Sequence, residues 1–288
     1  MHSTPPQKVA FLGMGLMGQR MARRLIDAQF DVAIWNRTAR TCDDLIQYGA
    51  KALALTDIAQ YPVILMCLAD DHAVSAVFEQ IECYLIPEQI IVDFSSLSVD
   101  QTVALAQRAQ HKHAHWVDSP VSGGTMGAEQ GSLVIFAGGN AKIIQRLQPI
   151  YDVLSQRVTH MGENGTGQAT KICNQLIVAA NSTLIAEAVA LARTAGVDTT
   201  QLAPALADGF ADSKPLQILS PRMAQHIFEP VQWKVQTLSK DLNNAMTLAK
   251  KSGLQLPVAH LALQQLQQHQ HTGFAEADLA TFIQHVEH

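Results

Sequence analysis

A glycine-rich segment directly after a short apolar run is the feature that most constrains how this chain can fold. Lys8–Leu12 is typical of a β-strand, and the next residues, Gly13-Met14-Gly15-Leu16-Met17-Gly18, have the spacing G-x-G-x-x-G. Leu16–Ala28 then has apolar residues at helical spacing. The first glycine permits a tight turn, the second permits close backbone approach to a pyrophosphate, and the third lets helix and strand pack closely. The segment predicts a strand–turn–helix unit that binds phosphate at the helix N-terminus, the alternative being a packing turn without a ligand.

Apolar runs and helical segments alternate through the first half of the chain. The runs are typical of buried strands, and most intervals between them have helical spacing. After the first run they are Asp31–Trp35, Val63–Leu68, Ile90–Phe94, Trp116–Asp118 and Leu133–Phe136. This alternation predicts βαβ units and a mostly parallel sheet.

The pattern changes near Gly162, and no convincing strand follows Gly165. Thr170–Ala195 predicts one long apolar helix, and the remaining residues have helical spacing. We expect breaks in these helices at Pro215, Pro221, Pro230 and Pro257. The chain is therefore expected to have an α/β domain over 1–163 and an all-helical domain over 164–288.

Composition excludes several classes of protein. Of the 288 residues, 48 % are hydrophobic and 16 % are Asp, Glu, Lys or Arg, unlike a disordered, coiled-coil or collagen-like chain. The net charge of −5 lacks the basic surplus of a nucleic-acid binder. We expect no membrane span, since no apolar run reaches the roughly 18 to 20 residues required. Met1–Gln7 lacks the apolar core of a signal peptide, which predicts a cytoplasmic location.

The cysteines and histidines predict neither a disulfide framework nor a metal site. The cysteines, which we expect to be reduced, have no redox or metal spacing and lie at Cys42, Cys67, Cys83 and Cys173. His111, His113 and His115 alternate and would share one face of a strand. No acidic or cysteine partner has matching spacing, so we expect a solvated strand entry there.

The residues after the second apolar run bear on the choice of dinucleotide. A cofactor with a free ribose 2′-hydroxyl usually meets Asp or Glu about 20 residues past the glycine loop, but this chain has Asn36. An uncharged side chain does not repel a 2′-phosphate. Arg37 can bind that phosphate through charge-assisted hydrogen bonds, and Thr38 can add a hydroxyl. We therefore expect NADP(H) to be preferred to NAD(H); in the other interpretation, Arg37 only stacks on the adenine.

Four separated motifs cover nearly the whole chain. They are Phe11–Gly18, Asp118–Gly124 with its continuation through Gly127 and Ala128 to Gly131, Gly165–Lys171 with its Gly-x-Gly start, and Lys240–Leu242. In their order and spacing they resemble the β-hydroxyacid dehydrogenase family, the group of 3-hydroxyisobutyrate dehydrogenase and tartronate semialdehyde reductase. The resemblance implies a Rossmann-like N-terminal domain, a long connecting helix and a helical C-terminal domain that helps to form dimers or tetramers. It also implies reversible hydride transfer between a nicotinamide cofactor and a small β-hydroxyacid or its semialdehyde.

The family's catalytic lysine falls on Lys171. Burying a lysine at the inward-facing start of a helix costs free energy unless its charge is paired or the residue has a catalytic role. The helix N-terminus and a cationic nicotinamide would both favour its neutral form, which suits general acid–base catalysis near neutral pH. The alternative is a solvated surface lysine.

A substrate carboxylate is expected on Ser122, Gly123 and Gly124, because glycines free to take positive φ let successive N–H groups form an anion site. A simple glycine turn is the alternative. The family usually has Asn four residues beyond the lysine; here that residue is Gln175, with Asn174 beside it, and either or both are expected to support the substrate. The longer amide leaves the size of the pocket open.

The resemblance also implies contacts with the cofactor and substrate elsewhere in the chain. Lys240 matches a second family lysine near nicotinamide and substrate, and Ser96 matches a residue near the nicotinamide ribose. Trp233 lies where the family often has Phe, and its side chain either lines the cofactor site or belongs to the core. Leu68, at the end of an apolar run, is a further expected cofactor contact.

The motifs are compatible with two other functions. One is a related reductase for glyoxylate or succinic semialdehyde, which would differ only in the size and polarity of its pocket. The other is a cofactor-binding sensor without catalysis, although the presence of Lys171 argues against it. An imine-reducing relative is disfavoured for the same reason.

Overall fold

The structure is a computed structural model that describes residues 7–287, in two compact units that divide between Lys171 and Ile172. Within residues 7–287 the strands are β1 Lys8–Leu12, β2 Asp31–Trp35, β3 Lys51–Ala52, β4 Val63–Met66, β5 Ile90–Asp93, β6 His115–Asp118, β7 Val121–Ser122, β8 Leu133–Gly138 and β9 Ser155–Gly162. The α-helices there are α1 Leu16–Asp27, α2 Asp43–Tyr48, α3 Asp71–Ile81, α4 Val99–His111, α5 Gly124–Gln130, α6 Ala141–Arg146, α7 Gln148–Leu154, α8 Thr166–Thr194, α9 Leu202–Leu206, α10 Lys214–Ala224, α11 Val235–Lys251, α12 Pro257–His269 and α13 Phe282–Glu287.

All the strands belong to one sheet in the N-terminal unit. The order is β3-β2-β1-β4-β5-β6-β8-β7, with β9 also paired to β8. The pairs from β3 to β6 are parallel, β8 is antiparallel to β6 and β7, and β9 is parallel to β8. The expected α/β fold with a mostly parallel sheet is therefore confirmed.

The sheet is covered on both faces, which explains why its central strands are continuously apolar. Phe11 and Val92 face one core, which α1 completes with Met21 and Leu25. Strand neighbours with opposite orientation face a second core, formed with α3 and α4, that contains Leu12, Ile91, Phe78 and Leu105. Because the period of a strand is two, each central strand contributes to both cores.

The C-terminal unit is helical. In residues 172–287 the extended structure is limited to an isolated bridge between Lys234 and Asp278. Helix α11 packs against α12, and buried aliphatic side chains such as Leu238, Leu242 and Leu266 form the core. The expected all-helical second half is thus confirmed.

Several local predictions differ from the structure. Helix α8 begins at Thr166 and not at Thr170, so Lys171 lies in its second turn. Pro221 lies inside α10 and does not end it, whereas Pro215 and Pro257 occupy first-turn positions where proline lacks only an unneeded N–H. Strands β3, β7 and β9 were not expected.

The long helix α8 bears on the expectation about membrane spans. It has 29 residues and contains a stretch of 18 residues with mean hydropathy 1.5, of which 39 % is buried. By length and composition it is the one helix of residues 7–287 that could cross a membrane. A core helix of a soluble protein meets the same two criteria, so this observation alone is weak evidence for a span.

The expected common strand face of the three histidines is wrong, and the structure shows how far each cysteine is exposed. His111 ends α4, His113 has a φ of 56° in a turn and His115 begins β6, so the three do not share a strand face. Among residues 7–287, no group of three or more His, Cys, Asp or Glu is placed to hold a metal ion. The cysteines are free thiols; Cys42 is buried, Cys67 is half-buried, and Cys83 and Cys173 are exposed.

Candidate active site

The glycine loop connects β1 to α1 with little room for side chains. A Cβ on Gly13, whose φ is 103°, would lie 2.3 Å from the carbonyl oxygen of Cys67. A Cβ on Gly18 would lie 1.9 Å from the carbonyl oxygen of Gly13. A Cβ on Gly15 would meet no atom within 4 Å. Packing therefore requires the first and third glycines, whereas the second faces open space.

The N-terminus of α1 is suited to an anion. Its N-cap is Gly15, which has no side chain to accept from the first-turn N–H groups. Leu16 is 72 % exposed, so this end of the helix is accessible. Free N–H groups and the positive end of a helix dipole favour a bound phosphate.

Asn36 joins the glycine loop to the residues expected to select the dinucleotide. Its Oδ1 accepts from the backbone N–H of Met14 at 3.1 Å, and its Nδ2 donates to the carbonyl oxygen of Thr38 at 3.2 Å. The amide therefore orients both loops, a role that the sequence did not indicate. Arg37 and Thr38 are exposed, so their side chains are accessible to a ligand.

The loops after β4 and β5 lie together at the same edge of the sheet. The backbone N–H of Leu68 donates to Ser95 Oγ at 2.9 Å, and the N–H of Ser95 donates to Asp93 Oδ1 at 3.0 Å. Ser96 is half-buried. Since β2, β1, β4 and β5 are adjacent and parallel, their carboxyl ends bring Asn36, the glycine loop, Leu68 and Ser96 to one edge of the sheet.

Two buried carboxyl groups lie in register beneath this edge, Asp93 on β5 and Asp118 on β6. Burial raises the pKa of Asp93 to about 7, against the opposing hydrogen bonds from Ser95, and the charge of Asp118 adds to the rise. Asp93 Oδ2 has no hydrogen-bond partner among residues 7–287. Burial also raises the pKa of Asp118. Near neutral pH Asp93 can therefore take up a proton, which lowers the charge of the pair.

Asp118 binds the start of α8. Its Oδ1 accepts from the N–H of Gly165 at 2.9 Å, and its Oδ2 accepts from the N–H of Gln168 at 3.0 Å. A Cβ on Gly167 would lie 2.4 Å from the carbonyl oxygen of Phe136, and one on Gly138 would lie 2.6 Å from Asp118 Oδ2. The Gly-x-Gly pattern before the lysine is therefore a close approach of the helix to the sheet.

Lys171 lies half-buried in the second turn of α8. The prediction that it begins the helix is wrong, because Asp118 extends the helix N-terminally by capping it at Gly165 and Gln168. Lys171 therefore lies beyond the first turn, the part of a helix where the dipole acts most strongly on a charge.

The segment Ser122–Gly124 connects β7 to α5. Gly123 and Gly124 have φ values of 129° and 61°, so both use the backbone freedom expected of them. Helix α5 packs against α1. Arg24 of α1 donates to the carbonyl oxygen of Glu129 on α5 at 3.2 Å and to that of Val153 on α7 at 2.8 Å. The first of these joins the two loop-bearing helices, a contact that the sequence did not reveal.

In the C-terminal unit, a chain of side-chain hydrogen bonds joins α8 to α11. Asn174 Nδ2 donates to Gln175 Oε1 at 2.8 Å, and Gln175 Nε2 donates to Asp241 Oδ2 at 2.5 Å. Gln175 is buried and Asn174 is half-buried. Asp241 had no expected role, although it stands in the fourth motif, beside Lys240.

Lys240 and Trp233 differ in their surroundings. Lys240 is exposed on α11. Trp233 is half-buried, and its backbone N–H donates to Asp278 Oδ2 at 3.3 Å. Its carbonyl oxygen accepts from Leu279 at 2.8 Å. The backbone of Trp233 is thus fixed by the loop before α13.

Two family models match the chain. Residues 8–162 match the NAD binding domain of 6-phosphogluconate dehydrogenase. Residues 165–286 match a domain described as the NAD-binding of NADP-dependent 3-hydroxyisobutyrate dehydrogenase.

Individual proteins are similar over most of the chain. A 2-hydroxy-3-oxopropionate reductase of Escherichia coli (strain K12) is 34 % identical over 257 residues, 87 % of this chain and 87 % of that protein. Glyoxylate/succinic semialdehyde reductase 1 of Arabidopsis thaliana is 27 % identical, covering 97 % of this chain and 98 % of its own. The solved structure of Mycobacterium tuberculosis 3-hydroxyisobutyrate dehydrogenase with L-serine matches with a TM-score of 0.91 at 23 % identity, covering 98 % of this chain and all of that one. At that identity the structural match establishes the fold.

Proposed function

Because the chain belongs to the β-hydroxyacid dehydrogenase family of NAD(P)-dependent oxidoreductases, we propose that it transfers a hydride between NADP(H) and a short β-hydroxyacid/semialdehyde pair. 3-Hydroxyisobutyrate and tartronate semialdehyde represent the substrate class. The observation that carries the proposal is the convergence of three features in one unit: the glycine loop, the loops after β4 and β5, and the Asp118-bound start of α8 that leads to Lys171.

The residues of the N-terminal unit fit a dinucleotide. Open space above Gly15 and the uncapped start of α1 can receive the pyrophosphate. Asn36 holds the next loop without adding a negative charge, and the exposed Arg37 and Thr38 can bind a 2′-phosphate. Leu68 and Ser96 would line the nicotinamide end. When bound, the cofactor donates or accepts the hydride.

The chain supplies orientation and the proton. Ser122, Gly123 and Gly124 would bind the substrate carboxylate through their N–H groups. Lys171 Nζ would donate a proton to the carbonyl oxygen during reduction and remove it from the hydroxyl during oxidation. Asn174, Gln175 and Lys240 would support the substrate, and Trp233 and Lys240 would contact the cofactor.

The test is turnover of a panel of short semialdehydes and β-hydroxyacids with NADPH, NADH and their oxidised forms. We expect Lys171→Ala to lose a factor of about 10² to 10⁴ in kcat while NADPH binding, measured by nicotinamide fluorescence, is retained. Lys142→Ala is the control, because Lys142 is an exposed lysine of the same unit. Near-normal turnover of Lys171→Ala would contradict the proton-transfer role. A wild-type protein that binds NADPH but reduces no substrate would favour the sensor.

A second substrate class is supported by the Arabidopsis relative, whose name includes glyoxylate and succinic semialdehyde. Both are aldehydes with a carboxylate, so the same carboxylate and proton sites would serve them. The panel includes both compounds, and the ratio of kcat/KM values decides between the classes.

We also propose that the chain forms a homodimer or homotetramer. Ile177, Leu184 and Leu191 recur every seven residues on α8 and are 58 %, 61 % and 71 % exposed. An apolar stripe of this spacing is suited to a second helix. Light scattering after gel filtration should give a multiple of the chain mass, and Leu184→Glu should reduce it. A monomeric wild type would overturn this proposal.

A further inference from the structure

Gln168 is a fully buried glutamine in the first turn of α8. Its Nε2 donates to the carbonyl oxygen of Ser95 at 2.8 Å, and its Oε1 accepts from the N–H of Leu97 at 3.1 Å. One amide therefore holds the backbone on both sides of Ser96. A buried amide is costly without partners, and Gln168 has a partner at each end.

The same loop is held from the sheet by Ser95. Ser95 Oγ accepts from the N–H of Leu68, and the N–H of Ser95 donates to Asp93 Oδ1. The segment Ser95–Leu97 is thus fixed both to the strand ends and to α8. Gln168 links this segment to α8 through two side-chain hydrogen bonds.

The backbone of Gln168 is fixed in turn by Asp118, which accepts from its N–H at 3.0 Å. Lys171 follows three residues later, a spacing that places two residues on neighbouring positions of one helix face. A single residue therefore connects the loop of Ser96 with the helical turn of Lys171.

We propose that Gln168 is a positioning residue that sets the register between the nicotinamide-ribose loop, Ser95–Leu97, and the proton-transferring Lys171. This inference rests on the proposed function, because it gives Ser96 and Lys171 their roles. Hydride and proton must move to adjacent atoms of one substrate. An error of about 1 Å between the two groups can lower the rate by about 10² without abolishing binding.

The chain provides a matched control in Gln89, which is 2 % exposed in the same unit. Its Nε2 donates to the carbonyl oxygens of Ile58 at 2.9 Å and Tyr61 at 2.7 Å, and its Oε1 accepts from Ile86 at 2.8 Å. Gln89 precedes β5, at the opposite edge of the sheet from Ser96. Replacing either glutamine by methionine keeps the length of the side chain and removes the same kind of hydrogen bonds.

The experiment compares Gln168→Met, Gln89→Met and wild type. We expect both variants to lower the melting temperature. Only Gln168→Met should lower kcat, by about 10- to 100-fold, with the substrate KM within about threefold, and only it should move the pH profile of kcat. Gln168→Asn, which keeps the amide but is one carbon shorter, serves if Gln168→Met does not fold. Equal kcat values for the Gln168 variant and wild type would overturn the proposal.

Amide hydrogen exchange separates this inference from the proposed function. With NADPH bound, Gln168→Met should exchange the Leu97 N–H at least tenfold faster than wild type or Gln89→Met, because the amide has lost its acceptor. If the wild type turned over no substrate, the proposed function would fail. Exchange of the Leu97 N–H would still show whether Gln168 holds the segment Ser95–Leu97 in place. Unchanged exchange there would overturn the positioning role.

Discussion

The two units hold their candidate site residues by different means. In the N-terminal unit the backbone itself fixes the site, because a Cβ on Gly13, Gly18 or Gly167 would lie within 2.4 Å of a carbonyl oxygen. In the C-terminal unit, Gln175 is held by side-chain hydrogen bonds to Asn174 and Asp241 along regular helices. A site fixed by backbone contacts suits a constant ligand such as the dinucleotide. In a site fixed by side chains, substitutions can change the substrate specificity while the helices stay folded.

The largest expected effect tests the backbone-fixed site. Gly18→Ala should lower the free energy of unfolding by about 3 kcal/mol, because its Cβ would lie 1.9 Å from the carbonyl oxygen of Gly13. Urea denaturation measures the loss, and NADPH binding should weaken with it.

Gly15→Ala is the matched variant for this prediction. Its Cβ meets no atom within 4 Å, so the free energy of unfolding should change by less than about 1 kcal/mol. NADPH affinity should nevertheless fall, because the methyl group occupies the space proposed for the pyrophosphate. Equal destabilisation by the two substitutions would contradict the contrast between packing and binding glycines.

Arg37 tests a part of the N-terminal unit that depends on an exposed side chain. Losing one charge-assisted contact to a phosphate costs roughly 1.5 to 3 kcal/mol, so Arg37→Ala should raise the KM for NADP(H) tenfold or more. The KM for NAD(H), which lacks the 2′-phosphate, should change little. Steady-state kinetics with both cofactors decides the point, and an unchanged NADP(H) constant would exclude the contact.

Asp93 gives the N-terminal unit an expected pH dependence of stability. Because its pKa is raised from 3.8 to about 7 on folding, the folded state binds more protons between these values. The contribution of this group to stability is complete below about pH 4 and is lost as the pH rises to about 7, by at most about 1.4 kcal/mol per pH unit. Urea denaturation of wild type and Asp93→Asn from pH 5 to 8 should show a smaller decline in the variant. Parallel curves would contradict the raised pKa.

The smallest expected effect concerns the side-chain-fixed site. Gln175→Asn shortens the amide by one carbon and should lose the contact with Asp241. We expect a change in stability of about 1 kcal/mol or less, with a several-fold change in the relative kcat/KM of small and larger semialdehydes. Unchanged ratios of kcat/KM across the panel would show that Gln175 does not contribute to substrate selection.

The fold was predictable where burial leaves a pattern in the sequence. The central strands β1, β4 and β5 are buried on both faces and are therefore continuously apolar. Strand β9 pairs with β8 in the sheet, and its Ser-Gln-Arg-Val-Thr-His-Met-Gly sequence is mostly exposed, so no alternation identifies it. The two-residue strands β3 and β7 are too short to have any period.

The candidate site was predictable where close contact between backbone segments requires glycine. The glycine loop and the Gly-x-Gly before Lys171 are examples, because in both a helix approaches the sheet closely. Asn36, Gln168 and Asp118 fix loops that are distant in sequence, at separations of 22, 71 and 47 residues. Their hydrogen bonds depend on the finished fold, and a polar residue type alone does not predict its partner.

The unequal exposure of the four thiols provides a means of measuring motion. Cys83 of the N-terminal unit and Cys173 of the C-terminal unit are exposed, whereas burial raises the pKa of Cys42 and raises that of Cys67 to about 12. Since the thiolate is the reactive form, maleimide dyes should label the first two and spare the others. A donor and an acceptor at these two natural positions would report the separation of the two units by Förster transfer, and its change when NADPH and then substrate are added.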